Sequence, residues 1–185
     1  MPETDELYLG PTTPPLIVVL SGPSGVGKDA ILNRMIELGY PVTVPVTMTT
    51  RGPRPGEVDG VHHIFVTHEQ FQAHLAEGEL LEHAEVYGGN FYGVPRSSVR
   101  VAADSDKHII IRVDVQGAKS LRNTLPDAEF VFLIPSKREN LEAHLRSRGS
   151  EDEAAIQERL AAIEREYDEI EQFRHVIQNV EGDLD

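Results

Sequence analysis

The stretch Ser21-Gly22-Pro23-Ser24-Gly25-Val26-Gly27-Lys28-Asp29 constrains the fold more than any other in the chain. It follows directly on the apolar run Leu16-Ile17-Val18-Val19-Leu20. A buried strand that empties into glycines and a lysine is the setting of a phosphate-binding loop. Three glycines let the backbone curl so that its N–H groups converge on an anion. A helix beginning near Gly27 adds the positive end of its dipole at the same point. Lys28 brings a mobile point charge able to follow a phosphoryl group. The pattern G-x-x-x-x-G-K-[ST] is complete through Lys28 and then fails, because Asp29 stands where a hydroxyl should reach Mg²⁺. A glycine-rich turn that binds nothing would need neither the lysine nor the strand and helix around it.

The rest of the chain alternates in the way such a loop requires. The spacing predicts a first helix with Ile31, Leu32, Met35, Ile36 and Leu38 inward, ended by Gly39. A short β-branched strand over 42–46 follows. The run of glycine, proline and charge over 47–60 reads as a loop, with Arg51 and Arg54 between stiffening prolines and spaced for a bidentate grip on a phosphate. Strand 62–67 leads through Thr67, a helix cap, into helix 68–77. Segments 79–87 and 91–94 form a hairpin around Gly88-Gly89-Asn90. Then come helix 95–103, a core strand over 108–114 ending in Asp114, helix 116–124, strand 130–134 and helix 136–147. The longest helix, 153–173, carries a stripe of Ile156, Leu160, Ile163, Tyr167 and Ile170, and a last strand begins at Val176-Ile177. Strand–helix repetition of this kind predicts an α/β fold: a parallel sheet covered by helices on both faces.

Composition narrows the partners. With 17 Lys and Arg against 31 Asp and Glu, net charge is −14, which disfavours non-specific binding to nucleic acid or to an anionic membrane. Basic clusters are therefore informative, and Arg146-Ser147-Arg148 is one, at the end of a helix. There is no cysteine, no run of membrane-spanning length and no signal-peptide pattern, consistent with a cytoplasmic protein. Residues 1–15 read as a disordered N-terminal tail and 16–185 as one domain. The pair His62-His63 reads as surface rather than site.

Several of these segments together resemble guanylate kinases, which belong to the P-loop nucleoside monophosphate kinases. The resemblance is carried by 22–28, by Thr49-Thr50-Arg51-Gly52-Pro53-Arg54-Pro55-Gly56-Glu57-Val58-Asp59-Gly60 and by Leu81-Glu82-His83-Ala84-Glu85-Val86-Tyr87-Gly88-Gly89-Asn90-Phe91-Tyr92-Gly93-Val94-Pro95. Asp114-Val115-Gln116-Gly117-Ala118 and Val176-Ile177-Gln178-Asn179 continue it in the same order. The resemblance implies ATP-dependent phosphorylation of GMP, with ATP and Mg²⁺ required and nucleotides the only partners, on a monomer or homodimer. It implies a core (16–46 and 95–185), a small β-rich GMP-binding lobe (47–94) and a lid at about 146–152. ATP would be held by Gly22, Pro23, Ser24, Gly25, Val26, Gly27, Lys28, Asp29 and Asn179. GMP would be held by Thr47, Arg51, Arg54, His63, Glu82, Tyr92 and Asp114. Lys28, Arg51, Arg148 and Arg159 would act on the transferring phosphate, and Asp29 would reach Mg²⁺ directly or through water.

The chain departs from that pattern at five places. Asp29 replaces a hydroxyl residue, His63 a tyrosine, Val94 a hydroxyl residue, Arg112 an acid and His144 a lid arginine. Two alternatives stand beside the kinase reading. A kinase of another phosphorylated small molecule, such as a ribose bisphosphate, would also carry Asp after the loop lysine, but would not resemble 47–60 and 81–95. A non-catalytic guanylate-kinase-like binding module would have an eroded glycine loop, and this one is intact.

Overall fold

The computed structural model describes residues 14–147 and 153–180. The expected tail therefore falls outside them except at 14 and 15, and so does most of the expected lid, including Arg148. The chain opens with β1 (Ile17–Ser21), α1 (Lys28–Glu37) and β2 (Val42–Thr43). After an intervening unit it returns with α3 (Arg96–Ala103), β7 (His108–Arg112), α4 (Val115–Thr124) and β8 (Glu129–Pro135). It ends with α5 (Arg138–Ser147), α6 (Glu153–Asp168) and β9 (His175–Asn179). The strands form one parallel sheet in the order β2-β7-β1-β8-β9.

Successive residues of the central strands enter different cores, which is why these strands read as unbroken apolar runs. Val19, Ile109, Ile111 and Phe132 pack with Ala118 and Leu121 of α4 and with Ala102 of α3. Their neighbours Leu20, Ile110 and Leu133 pack with Leu32 of α1, Leu141 and Leu145 of α5, and Ile163 of α6. β1 and β7 are adjacent, but the chain leaves them toward opposite edges of the sheet. That divergence opens a crevice at their C-terminal ends, where α/β folds place ligands.

The intervening unit is a second sheet in the order β4-β3-β6-β5, made of β3 (Thr47–Thr49), β4 (His63–Phe65), β5 (Leu80–Val86) and β6 (Asn90–Pro95). Its helix α2 (His68–Ala76) starts at a capping box: the Gln70 N–H donates to Thr67 Oγ1 at 3.1 Å, and the Thr67 N–H donates to Gln70 Oε1 at 2.8 Å. Met48, Phe71 and Leu80 form its core.

Four expectations are corrected. Thr47–Thr49 is a buried strand, not loop: Met48 enters the core while the Thr49 hydroxyl donates to the Phe91 carbonyl at 3.0 Å. Ile36 and Leu38 are half-exposed, because the two-residue edge strand β2 leaves nothing to cover the last turn of α1. β7 stops at Arg112, and Asp114 instead caps α4 by accepting the Gly117 N–H at 2.8 Å. α6 ends at Asp168, and Ile170–Gln172 is a separate 3-10 turn.

Candidate active site

Three contacts shape the turn after β1. A Cβ on Gly22, whose φ is +141°, would lie 2.4 Å from the Leu133 carbonyl oxygen, so only glycine lets the chain leave the sheet this close to β8. Gly27 caps α1 in the left-handed region, with no side-chain hydrogen bond to the first turn. Asn179 of β9 donates from Nδ2 to the Val26 carbonyl at 2.8 Å. A Cβ on Gly27 would come within 2.6 Å of that nitrogen. Lys28 folds back over the loop, donating to the carbonyls of Gly22 at 2.5 Å and Pro23 at 3.2 Å.

This loop is one wall of a cavity of about 390 Å³ that continues into the second sheet. Ser24, Lys28 and Asp29 line it on one side, and Arg51, Arg54 and Tyr92 on the other. Thr47, His63, Glu82 and Asp114 line it as well, as does Arg159, whose guanidinium donates to the Ser24 hydroxyl at 3.1 Å. Pro23, a buried member of the loop, and Asn179, which holds the loop through Val26, are not among the lining residues. Arg148 lies outside the described residues, as does the side chain of His144. Arg146, at the end of α5, pairs with Glu142 and Glu153.

Arg51 is held in a fixed pose. Its Nη1 and Nη2 each donate at 2.9 Å to a Glu57 oxygen, and its Nε donates to the Tyr92 hydroxyl at 2.9 Å. Burial pushes the Glu57 carboxyl up, but the Arg51 guanidinium and the Arg54 N–H outweigh it and bring it down to about 2. Glu57 was not singled out from the sequence; its signal was only its place three residues after Arg54. His63 is buried, against the expectation of a surface residue, and its Nδ1 is 2.8 Å from the Thr47 hydroxyl. Burial first and the Arg51 charge second lower it to about 4, so it is neutral at pH 7.

Glu82 is 5% exposed on β5. Burial and then the Asp114 carboxylate push it up to about 8. Asp114 is itself raised by burial, opposed by the Gly117 N–H and the Lys28 charge. A Cβ on Gly117 would sit 2.5 Å from Glu82 Oε1, so any larger residue there would push this carboxyl out of its present place. Two departures from the family pattern prove to be partners: Arg112 and Asp29 form an ion pair within the same cavity. The hydrophobic Val94, a third, is 1% exposed; it belongs to the main core and lines the cavity as well.

A parallel sheet with a glycine-and-lysine turn at its central strand, opening on a cavity lined by arginines, defines an α/β phosphate-binding protein. The family model for guanylate kinase matches residues 15–184, and the chain belongs to that family. The guanylate kinase of Synechococcus elongatus is 42% identical over 163 residues, covering 88% of each chain. That of Halalkalibacterium halodurans is 40% identical over 169 residues, covering 91% of this chain and 82% of the relative. The solved guanylate kinase of Anaplasma phagocytophilum is 31% identical with a TM-score of 0.67, covering 92% of this chain and 78% of that one. Among the described residues no helix is long and apolar enough to cross a membrane.

Proposed function

We propose that this protein transfers the γ-phosphoryl group of ATP to GMP, giving ADP and GDP. The observation that carries the reading is one cavity shared by the glycine loop and Lys28 and by Arg51, Arg54, Tyr92 and Glu82, in a chain of the guanylate kinase family. Phosphoryl transfer needs two anions brought into line in a space closed to water, with their charge neutralised. The loop N–H groups and Lys28 hold the β- and γ-phosphates, with Ser24 and Arg159 beside them. Arg51, Arg54 and Tyr92 hold the acceptor phosphate, and Glu57 sets the pose of Arg51. Thr47, Glu82 and Asp114 face the guanine; His63, neutral, holds Thr47. An oxygen of the GMP phosphate attacks the γ-phosphorus. The bond to the β–γ bridging oxygen breaks, and its electron pair stays with ADP. A dianionic phosphate is already a nucleophile, so no side chain has to remove a proton.

Asp29, in the first turn of α1 one residue after Lys28, would offer an oxygen ligand to a hard cation. Among the described residues no group of three or more His, Cys, Asp or Glu could hold a metal ion. Mg²⁺, when bound, would neutralise the phosphate charge. In this reading 47–94 is an acceptor lobe inserted into a core of 16–46 and 95–185, with a lid near 146–152.

A coupled assay with ATP tests the reading against GMP, AMP, UMP and a ribose bisphosphate. GMP should be the preferred acceptor by at least about tenfold, because an unpaired buried polar group costs about 1–3 kcal/mol. Preference for another acceptor, or no turnover with any, would overturn it.

A further inference from the structure

Arg112 is the last residue of β7, paired in register with Leu20 at the point where β1 enters the glycine loop. Its side chain is only 18% exposed. Burial brings its guanidinium down to about 10, which leaves it cationic at pH 7. A buried cation needs an anion close by. Here that anion is Asp29, on the first turn of α1, with 64% of its side chain exposed. The partners are unequal: the arginine is largely buried at the end of a sheet strand, whereas the aspartate is largely exposed on the first turn of a helix.

The pair lines the same cavity as the glycine loop, to which the proposed function gives a nucleotide's phosphates. Lys28, adjacent in sequence to Asp29, lines the same cavity, as do Asp114 and Arg159. A phosphate chain entering the loop faces two opposed influences from this pair. Asp29 repels it, and Arg112 offers a fork of donors suited to phosphate oxygens. The two cannot both keep their present contact and suit the ligand.

We propose that Arg112 is a phosphate-binding residue of the ATP site, for which Asp29 stands in while the site is empty, and that nucleotide binding exchanges the Asp29 carboxylate for a phosphate oxygen. The inference rests on the kinase reading above. In the exchange Arg112 keeps an anionic partner throughout, and its burial is never uncompensated. Asp29, displaced from Arg112, turns to the cation that accompanies the nucleotide. The arrangement makes the cost of metal-free ATP smaller than an isolated carboxylate beside the loop would impose. It also makes the effects of the two residues opposite in sign: removing Asp29 frees a cation for the phosphates, and removing Arg112 leaves a carboxylate facing them.

The test is equilibrium binding of ATP by calorimetry, in EDTA and in Mg²⁺, for the parent, Asp29→Asn, Arg112→Lys, Arg112→Ala and the Asp29→Asn/Arg112→Ala double variant. In EDTA, Asp29→Asn should bind ATP about tenfold more tightly than the parent, and Arg112→Ala about tenfold or more weakly. The double variant should return to within about threefold of the parent, and Arg112→Lys should lie between the parent and Arg112→Ala. Because Asp29 is exposed, Asp29→Asn keeps the test decisive even if Arg112→Ala does not fold. If the parent binds ATP but Asp29→Asn binds metal-free ATP no more tightly, or both residues shift affinity in one direction, the pair is a structural ion pair and the proposal falls alone. If the parent binds ATP neither in EDTA nor in Mg²⁺, the kinase reading falls with it.

Discussion

Glu82 is a carboxyl that the fold keeps protonated near neutrality. Its folded value of about 8 stands above the ordinary 4.5 because it is buried and Asp114 lies close. The sign of the linkage follows. The stability this group contributes is complete below the unfolded value near 4.5 and is lost as pH rises through about 8. Recognition of guanine runs the other way. The base presents N1–H and an exocyclic amine, two donors that only the ionised carboxylate accepts together, so GMP binding must release a proton below pH 8. The affinity for GMP should rise by up to about tenfold per pH unit toward that value and level off above it. Glu82→Gln should bind GMP weakly and lose this rise. Comparing parent and variant at each pH cancels the titration of the GMP phosphate itself. Glu57 does not confound the range, since its contribution is complete above 4.5 and lost only as pH falls through about 2. A parent affinity that is flat, or that falls, between pH 6 and 8 would contradict a protonated Glu82 at the base.

The second sheet is small, and one ring dominates its core. Phe71 of α2 is fully buried among Met48, Leu80 and Phe91, its ring centroid 5.5 Å from that of Phe91. Gly93 of β6 leaves room for it, since a Cβ there would come within 3.1 Å of the ring. Phe71→Ala should cost about 3–5 kcal/mol of stability by denaturant unfolding. Removing the α2 cap with Thr67→Ala should cost about 1 kcal/mol. Equal costs would mean that this cluster is not what holds the sheet together. That cap, the hairpin at Gly88-Gly89 and the alternation of strand and helix were legible in the sequence, because each is set by residues within a few positions of one another. Thr47–Thr49 was not, because its neighbours in sequence are prolines and charges, and what makes it a strand is pairing with β6 more than forty residues away. The burial of His63 has the same cause, since it pairs with Thr47 in the next strand. The glycine loop and the arginines of the site were readable from spacing. The Asp29–Arg112 pair was not, because 83 positions separate two residues that each looked like an isolated departure. That Asn179 supports the loop rather than lines the cavity likewise depends on where β9 lies in the sheet.

Across the whole molecule, an acidic chain of net charge −14 gathers Lys28, Arg51, Arg54, Arg112 and Arg159 around one cavity. Asp29, Glu57, Glu82, Asp114 and Glu166 line the same cavity, so its formal charge is balanced while the rest of the surface is strongly negative. Protonation of Glu82 leaves it net positive, and anionic ligands are drawn there rather than to the surface. The topology does the rest. The chain leaves β1 and β7 in opposite directions at the crevice, where the loop after β1, Arg112 at the end of β7 and Asp114 just beyond it line one cavity with residues of the second sheet. The central claim is that this one cavity holds both nucleotides and passes phosphate directly between them. It is tested most directly by a single-turnover reaction of the parent and Lys28→Ala with γ-labelled ATP and equal amounts of GMP and AMP, following where the label goes. The account predicts that the parent places the label on GDP with little on ADP from AMP, and that Lys28→Ala, still folded, transfers almost none. Label appearing only as inorganic phosphate, equal labelling from AMP, or transfer by Lys28→Ala within a few fold of the parent would contradict it.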